Sequence, residues 1–138
     1  ERPPIIEACA GLIDPTDEPG EANNYESAAR REFEEETGYT GDRWMYLGAY
    51  YTSPGLGTEK IYLFVVTNPI PGEQKLTDHE KGEIEVIKLS NIQMVQMLID
   101  NEITDMKTVI LLSAGGWAAM HQKATKLASK KDRRTHGS

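Results

Sequence analysis

Glu32, Glu34, Glu35 and Glu36 place four carboxylates in five consecutive positions, directly behind the helix-forming run Glu26-Ser27-Ala28-Ala29-Arg30. Like charges one turn apart repel, costing a helix about a few tenths of a kcal/mol per pair. Stability therefore gives no reason to gather them. A divalent cation reverses the sign of that interaction, because hard cations want several oxygen ligands on a firm frame. The chemistry on offer is metal-assisted, and a metal-binding helix is the expectation.

Helical phase separates the four. At about 100° per residue, Tyr25, Ala29 and Phe33 form one apolar stripe. Glu32 and Glu36 lie about 100° and 60° from Phe33, on the Tyr25 side, at the margin of the buried face. Glu34 and Glu35 point away from it. The plain alternative is a solvated acidic face, but carboxylates at a buried edge need a partner.

The other segments must position this helix. The chain has 138 residues, enough for one domain with a real core. Its net charge of −7 speaks against a nucleic-acid-coating surface. An acidic protein acting on anionic substrates needs cations to mediate. Cys9 stands alone, so there is no disulfide framework, and a reducing, cytoplasmic setting is expected. No apolar run approaches the length of a membrane span and no signal peptide is visible.

In chain order, Ile5-Ile6-Glu7-Ala8-Cys9-Ala10 reads as a short buried strand ended by Gly11. Residues 14–24 form an exposed loop, with Asn23 or Asn24 capping the acidic helix and Gly38 stopping it. Trp44 to Tyr51 reads as an aromatic-rich strand, followed by the tight loop Ser53-Pro54-Gly55-Leu56-Gly57-Thr58. Lys60 to Thr67 is apolar almost throughout and is expected at the centre of the sheet. Glu83 to Leu89 alternates as a half-exposed strand. Ser90-Asn91 caps a helix to about Ile99. A last helix from Thr108 to about Leu127 is expected to bend near Gly115-Gly116. Trp117 and Met120 belong to its core face. A domain over 1–128 and a basic, disordered tail over 129–138 complete the reading. This order indicates an α/β sandwich.

The segments Gly11-Leu12-Ile13-Asp14, Gly20-Glu21 and Arg31-Glu32-Phe33-Glu34-Glu35-Glu36-Thr37-Gly38-Tyr39 resemble the Nudix box. The second half of the box matches position for position, with Phe33 and Tyr39 in its apolar slots. The first half is expanded, with nine residues on each side of Glu21 where the pattern has five and seven. Strict spacing lands on Asp17 or Asn23, and Glu21 is the nearest glutamate. Glu7 to Asp14, Ser53-Pro54-Gly55, Glu83-Ile84-Glu85-Val86 and Glu102 to Thr108 are similar to the ADP-ribose and nucleoside-diphosphate-sugar pyrophosphatases of that superfamily. The resemblance covers residues from about 5 to 120.

The resemblance implies an α/β/α Nudix sandwich with a mixed sheet, whose N-terminal strands are missing from this chain. It implies Mg²⁺, with Mn²⁺ as the alternative, held by Glu32 and Glu36, with Glu35 sharing it or bridging a second ion. The Ala10 carbonyl adds a ligand. Arg31 pairs with Glu21 to hold the box loop, between Gly11 and Gly38; Glu35, one turn on, is a further partner for Arg31. A general base has to come from outside the helix, because its carboxylates are committed to metal. By resemblance it sits on a loop before the last strand, which makes Glu83 first choice and Glu80 second, with Asp78 and His79 behind them. Exposed positions of an alternating strand are the plain reading of Glu83 and Glu85. Ser53, Pro54 and Gly55 shape the substrate site; a phosphate-cradling reading of that loop lacks the following lysine. Tyr50 and Tyr51 face base or sugar unless they are core, and Cys9 reads as a small buried residue.

The implied reaction is hydrolysis of ADP-ribose or a related nucleoside diphosphate sugar to a nucleoside monophosphate and a sugar phosphate. The implied enzyme is a homodimer with no nucleic-acid or membrane partner. Two other readings stand beside it: a non-catalytic Nudix-fold module that senses a nucleotide sugar, and a hydrolase of dinucleoside polyphosphates.

Overall fold

The acidic helix α1 spans Asn24–Thr37, followed by strands β1 (Arg43–Tyr51) and β2 (Lys60–Thr67) and helix α2 (Asn91–Ile99). A further helix, α3, occupies 106–116. These elements come from a computed structural model that describes residues 4–13 and 24–116. Glu21, Trp117, Met120 and the basic tail lie outside the described residues.

β1 and β2 pair antiparallel, with Trp44 opposite Val66 and Tyr46 opposite Phe64, and a register shift between Tyr46 and Gly48. Alternation along each strand then assigns the two faces. One face carries Trp44, Tyr46, Tyr62 and Phe64 and receives α1. Tyr25 stacks on Tyr62 at 3.7 Å, and Phe33 meets the edge of Trp44 at 5.5 Å. The other face carries Leu63 and Val65 and receives α3, where a Cβ on Gly115 would sit 3.3 Å from Val65 Cγ2 and 4.0 Å from Leu47 Cδ1. Helix, sheet and helix are thus layered as an α/β sandwich. Ala28, Leu63 and Ile103 are its buried apolar residues among those described.

The C-terminus of α1 is finished by a distant loop. Gly38 takes φ 74° and its N–H donates to Glu34 O at 2.9 Å, the left-handed stop that glycine favours. Lys75 N donates to Glu35 O at 2.9 Å, and Gln74 Nε2 to Glu36 O at 2.6 Å. Lys75 Nζ also reaches Glu34 at 2.6 Å. Glu34, expected to stand clear of the site, therefore ties this loop to the helix.

Three local expectations change. Residues 5–10 form no ladder among the described residues, and Ile5 is exposed. A strand exists only where a neighbour's amides meet its own. Here Ala8 N instead donates to Thr108 Oγ1 at 2.7 Å. Residues 83–89 likewise carry no ladder, and Val86 and Ile87 are exposed. β2 pairs only with β1 among the described residues, so the mixed sheet appears there as a single antiparallel pair. The apolar character of β2 reflects coverage on both faces by α1 and α3, which a central position is not needed to explain.

Both later helices begin at side-chain caps. Ser90 Oγ accepts from Gln93 N at 3.2 Å while Gln93 Oε1 accepts from Ser90 N at 2.9 Å, a complete capping box. α3 starts two residues earlier than expected, because Asp105 caps it. Asp105 Oδ2 accepts from Thr108 N at 2.9 Å and Thr108 Oγ1 at 2.6 Å, and Oδ1 from Lys107 Nζ at 2.8 Å. α3 is helical up to Gly116, where the described residues end, so the bend expected there lies at their limit; Gly115 packs closely on Val65.

Burial alone would raise the Asp105 carboxyl. The donors from Lys107 and Thr108 outweigh burial and hold it below its ordinary value of 3.8. A depressed folded pKa means stabilisation that is complete above 3.8 and lost as pH falls through the lower, folded value. Asp105→Ala should therefore cost about 1 kcal/mol near neutral pH. In urea titrations at several pH values, its deficit against the wild type should shrink below pH 3.8.

Candidate metal and active site

The segment 8–12 lies across α1. A Cβ added to Gly11 would fall 1.9 Å from Glu32 Cδ, so a larger residue there would have to displace the Glu32 carboxyl end. Arg31 Nη2 donates to Leu12 O at 3.0 Å, and Arg31 Nη1 bonds Glu32 Oε1 at 2.6 Å and Glu35 Oε2 at 3.3 Å. The Cys9 thiol and the backbone of Ala10 both hydrogen-bond the Glu36 carboxylate. Helix and segment thus close around two glutamates one turn apart.

Burial follows the phase argument. The Glu32 side chain is 19% exposed, against 40% for Glu34 and 43% for Glu35. Burial, and then the charges of Glu32 and Glu80, push the Glu36 carboxyl above its ordinary 4.5, against the opposing pull of the Cys9 and Ala10 hydrogen bonds. Burial and Glu36 together push the Cys9 thiol well above its usual range, so it serves as a hydrogen-bond donor and not as a thiolate nucleophile.

A crowded, half-buried pair of anionic oxygens fits a small hard cation, whose charge would relieve the strain that raises Glu36. No three His, Cys, Asp or Glu side chains among the described residues converge into a complete cage.

The loop carboxylates divide. Glu80 Oε2 accepts from Thr77 N at 2.8 Å and from Thr77 Oγ1 at 2.7 Å, and these bonds hold its pKa below the ordinary value. Its charge is felt at Glu36. Glu83 sits on the same turn, its N–H donating to Glu80 O at 3.0 Å, and its side chain is exposed. Asp78 is held by Lys81 at 2.7 Å. Ser53, Pro54 and Gly55 form an exposed turn in which Leu56 N and Gly57 N donate to Ser53 O at 2.9 and 3.0 Å. No hydrogen bond joins that turn to the glutamates among the described residues. Tyr50 and Tyr51 are exposed, and Lys60 Nζ lies 4.7 Å from the Tyr51 ring centre.

Reading residue types missed two groups at this site. The Cys9 thiol looked like inert packing, and nothing in its spacing marks it as a partner for Glu36. Thr108 carried a local signal, the cap pattern Asp105-x-Lys107-Thr108, but its bond to Ala8 spans a hundred residues of sequence.

A family model described as the NUDIX domain matches residues 3–110. The chain belongs to the Nudix family. It is also 41% identical over 112 residues to a GDP-mannose pyrophosphatase of Yersinia pestis (strain Pestoides F), covering 78% of this chain and 52% of that protein. Proteins of the same name from Yersinia enterocolitica (40% over 111 residues, 78% and 53% covered) and Klebsiella pneumoniae (39% over 111 residues, 78% and 52% covered) are similar. The chain spans about half the length of these curated relatives. No helix among the described residues is long and apolar enough to cross a membrane.

The Gly11–Glu32 approach is directly testable. Gly11→Ala should destabilise by about 1–3 kcal/mol through overpacking, and Gly11→Ala combined with Glu32→Ala should recover most of the loss. Denaturant midpoints of the four-member cycle measure it. An equal deficit in the double variant would mean that the clash lies elsewhere.

Proposed function

We propose that this Nudix chain belongs to a Mg²⁺-dependent pyrophosphohydrolase of nucleoside diphosphate sugars, with GDP-mannose as the first substrate to try. The observation that carries this reading is the half-buried Glu32–Glu36 pair, closed over by Cys9, Ala10 and Gly11. The names of the similar proteins supply the substrate class. Water adds across the P–O–P bridge, so GDP-mannose gives GMP and mannose 1-phosphate. ADP-ribose would give AMP and ribose 5-phosphate.

When bound, the cation neutralises pyrophosphate oxygens and acidifies a water. Glu32 and Glu36 hold it, assisted by Glu35 and the Ala10 carbonyl. Arg31 fixes the orientation of Glu32 and Glu35 and clamps Leu12. We assign the base to Glu83, because Glu80 already spends one oxygen on holding the turn through Thr77. The turn at Ser53, Pro54 and Gly55 shapes the sugar-phosphate side of the site. A homodimer in the cytoplasm is consistent with the resemblance and with the lone Cys9.

A second reading, a nucleotide-sugar sensor without turnover, draws on the internal pairing of Glu32 with Arg31 and of Glu36 with Cys9. One panel separates them: GDP-mannose, ADP-ribose, other nucleotide sugars and a dinucleoside polyphosphate, with Mg²⁺ and release of monophosphate measured. The enzyme reading expects turnover of a nucleotide sugar that falls by at least about a hundredfold in Glu36→Gln. Binding without turnover, unchanged in Glu36→Gln, supports the sensor. Glu83→Gln should lower kcat by about 10²-fold with Mn²⁺ affinity intact; if Glu80→Gln alone does so, the base is Glu80.

A further inference from the structure

The segment that closes the carboxylate pair has no strand neighbour to fix its register among the described residues. Its two ends are each held by a hydrogen bond. Arg31 clamps its far end at Leu12 O. At its near end Ala8 N donates to Thr108 Oγ1 at 2.7 Å, and the Thr108 hydroxyl in turn donates to Asp105 Oδ2 at 2.6 Å. Thr108 is 4% exposed. A hydroxyl has one proton, and Asp105 claims it, so the oxygen lone pairs are turned to the Ala8 amide. A helix cap alone needs only the bond from Thr108 N to Asp105. The further bond to Ala8 ties α3 to the segment that carries Cys9, Ala10 and Gly11.

We propose that Thr108, oriented by Asp105, is a positioning residue for the Glu32–Glu36 pair. It sets the height at which residues 8–11 cross α1, and so the placing of the Cys9 and Ala10 donors on Glu36 and of Gly11 on Glu32. Sliding along an extended chain moves in steps of about 3.3 Å per residue. Even a small part of one step would break bonds of ordinary length. The inference rests on the assignment of Glu32 and Glu36 as metal carboxylates.

The test uses the full chain and four variants. Thr108→Val keeps the shape and removes the hydroxyl; Thr108→Ser restores it. Ser90→Ala removes the cap of α2, far from the segment in sequence and bonding, and controls for loss of stability. Glu36→Gln controls for the metal reading. Two quantities are measured: hydrogen exchange at the Ala8 to Gly11 amides without metal, and Mn²⁺ affinity by electron paramagnetic resonance. Thr108→Val should speed exchange across Ala8 to Ala10 and weaken Mn²⁺ by about tenfold or more, the usual cost of losing an outer support. Thr108→Ser should recover both, and Ser90→Ala should change neither. Unchanged exchange in Thr108→Val, or weakened Mn²⁺ in Ser90→Ala to the same degree, overturns the positioning role. So does faster exchange with Mn²⁺ affinity unchanged, provided that Glu36→Gln loses the ion. If Glu36→Gln binds Mn²⁺ like the wild type, the metal assignment fails, and the inference falls with it.

Discussion

Two carboxylates one helical turn apart, half withdrawn from water, form the interaction on which the remaining structure depends. Glu32 and Glu36 repel each other, and burial adds to the cost of keeping both ionised. The chain meets that cost by surrounding them with donors: Arg31 on Glu32, and Cys9 and Ala10 on Glu36. The supply is limited. Burial and the charge of Glu32 still hold the Glu36 carboxyl above its ordinary 4.5.

The donors are not part of α1, apart from Arg31. They arrive on the segment 8–12, whose backbone joins no ladder among the described residues and whose position is set by side chains from two other elements. Thr108 on α3 holds one end and Arg31 the other. α3 is itself located by Gly115 against Val65 and Leu47, and α1 by Tyr25 and Phe33 against Tyr62 and Trp44 on the opposite face. The β1–β2 pair therefore sets the separation of the two helices between which the segment is pinned. The loop at 74–75 adds a third fixture by completing the last turn of α1, just beyond Glu34, Glu35 and Glu36.

The same site shows why neighbouring acidic residues differ in use. Glu34 lies on the outer side of α1 and pairs with Lys75. Glu35 shares Arg31 with Glu32 at a longer distance. Glu80 and Glu83 share one turn, yet Glu80 stabilises that turn through Thr77 while the Glu83 side chain is exposed. Identical functional groups take separate roles because each faces a different set of donors.

Helical period, cap residues and strand composition determined much of this protein by themselves. The limits of α1, β1, β2 and α2 follow from Gly38, Ser90 and the aromatic and apolar runs, and the phase of α1 singled out Glu32 and Glu36. All of these are local signals, carried within one or two turns of chain. The strand expected at residues 5–10 forms no ladder among the described residues, because pairing depends on a neighbour that composition does not name. Tertiary structure alone decided that Cys9 faces Glu36, that Lys75 claims Glu34, and that Thr108 reaches Ala8. Each joins positions far apart in sequence, and such a contact depends on how two helices are spaced across a sheet, which no local pattern encodes.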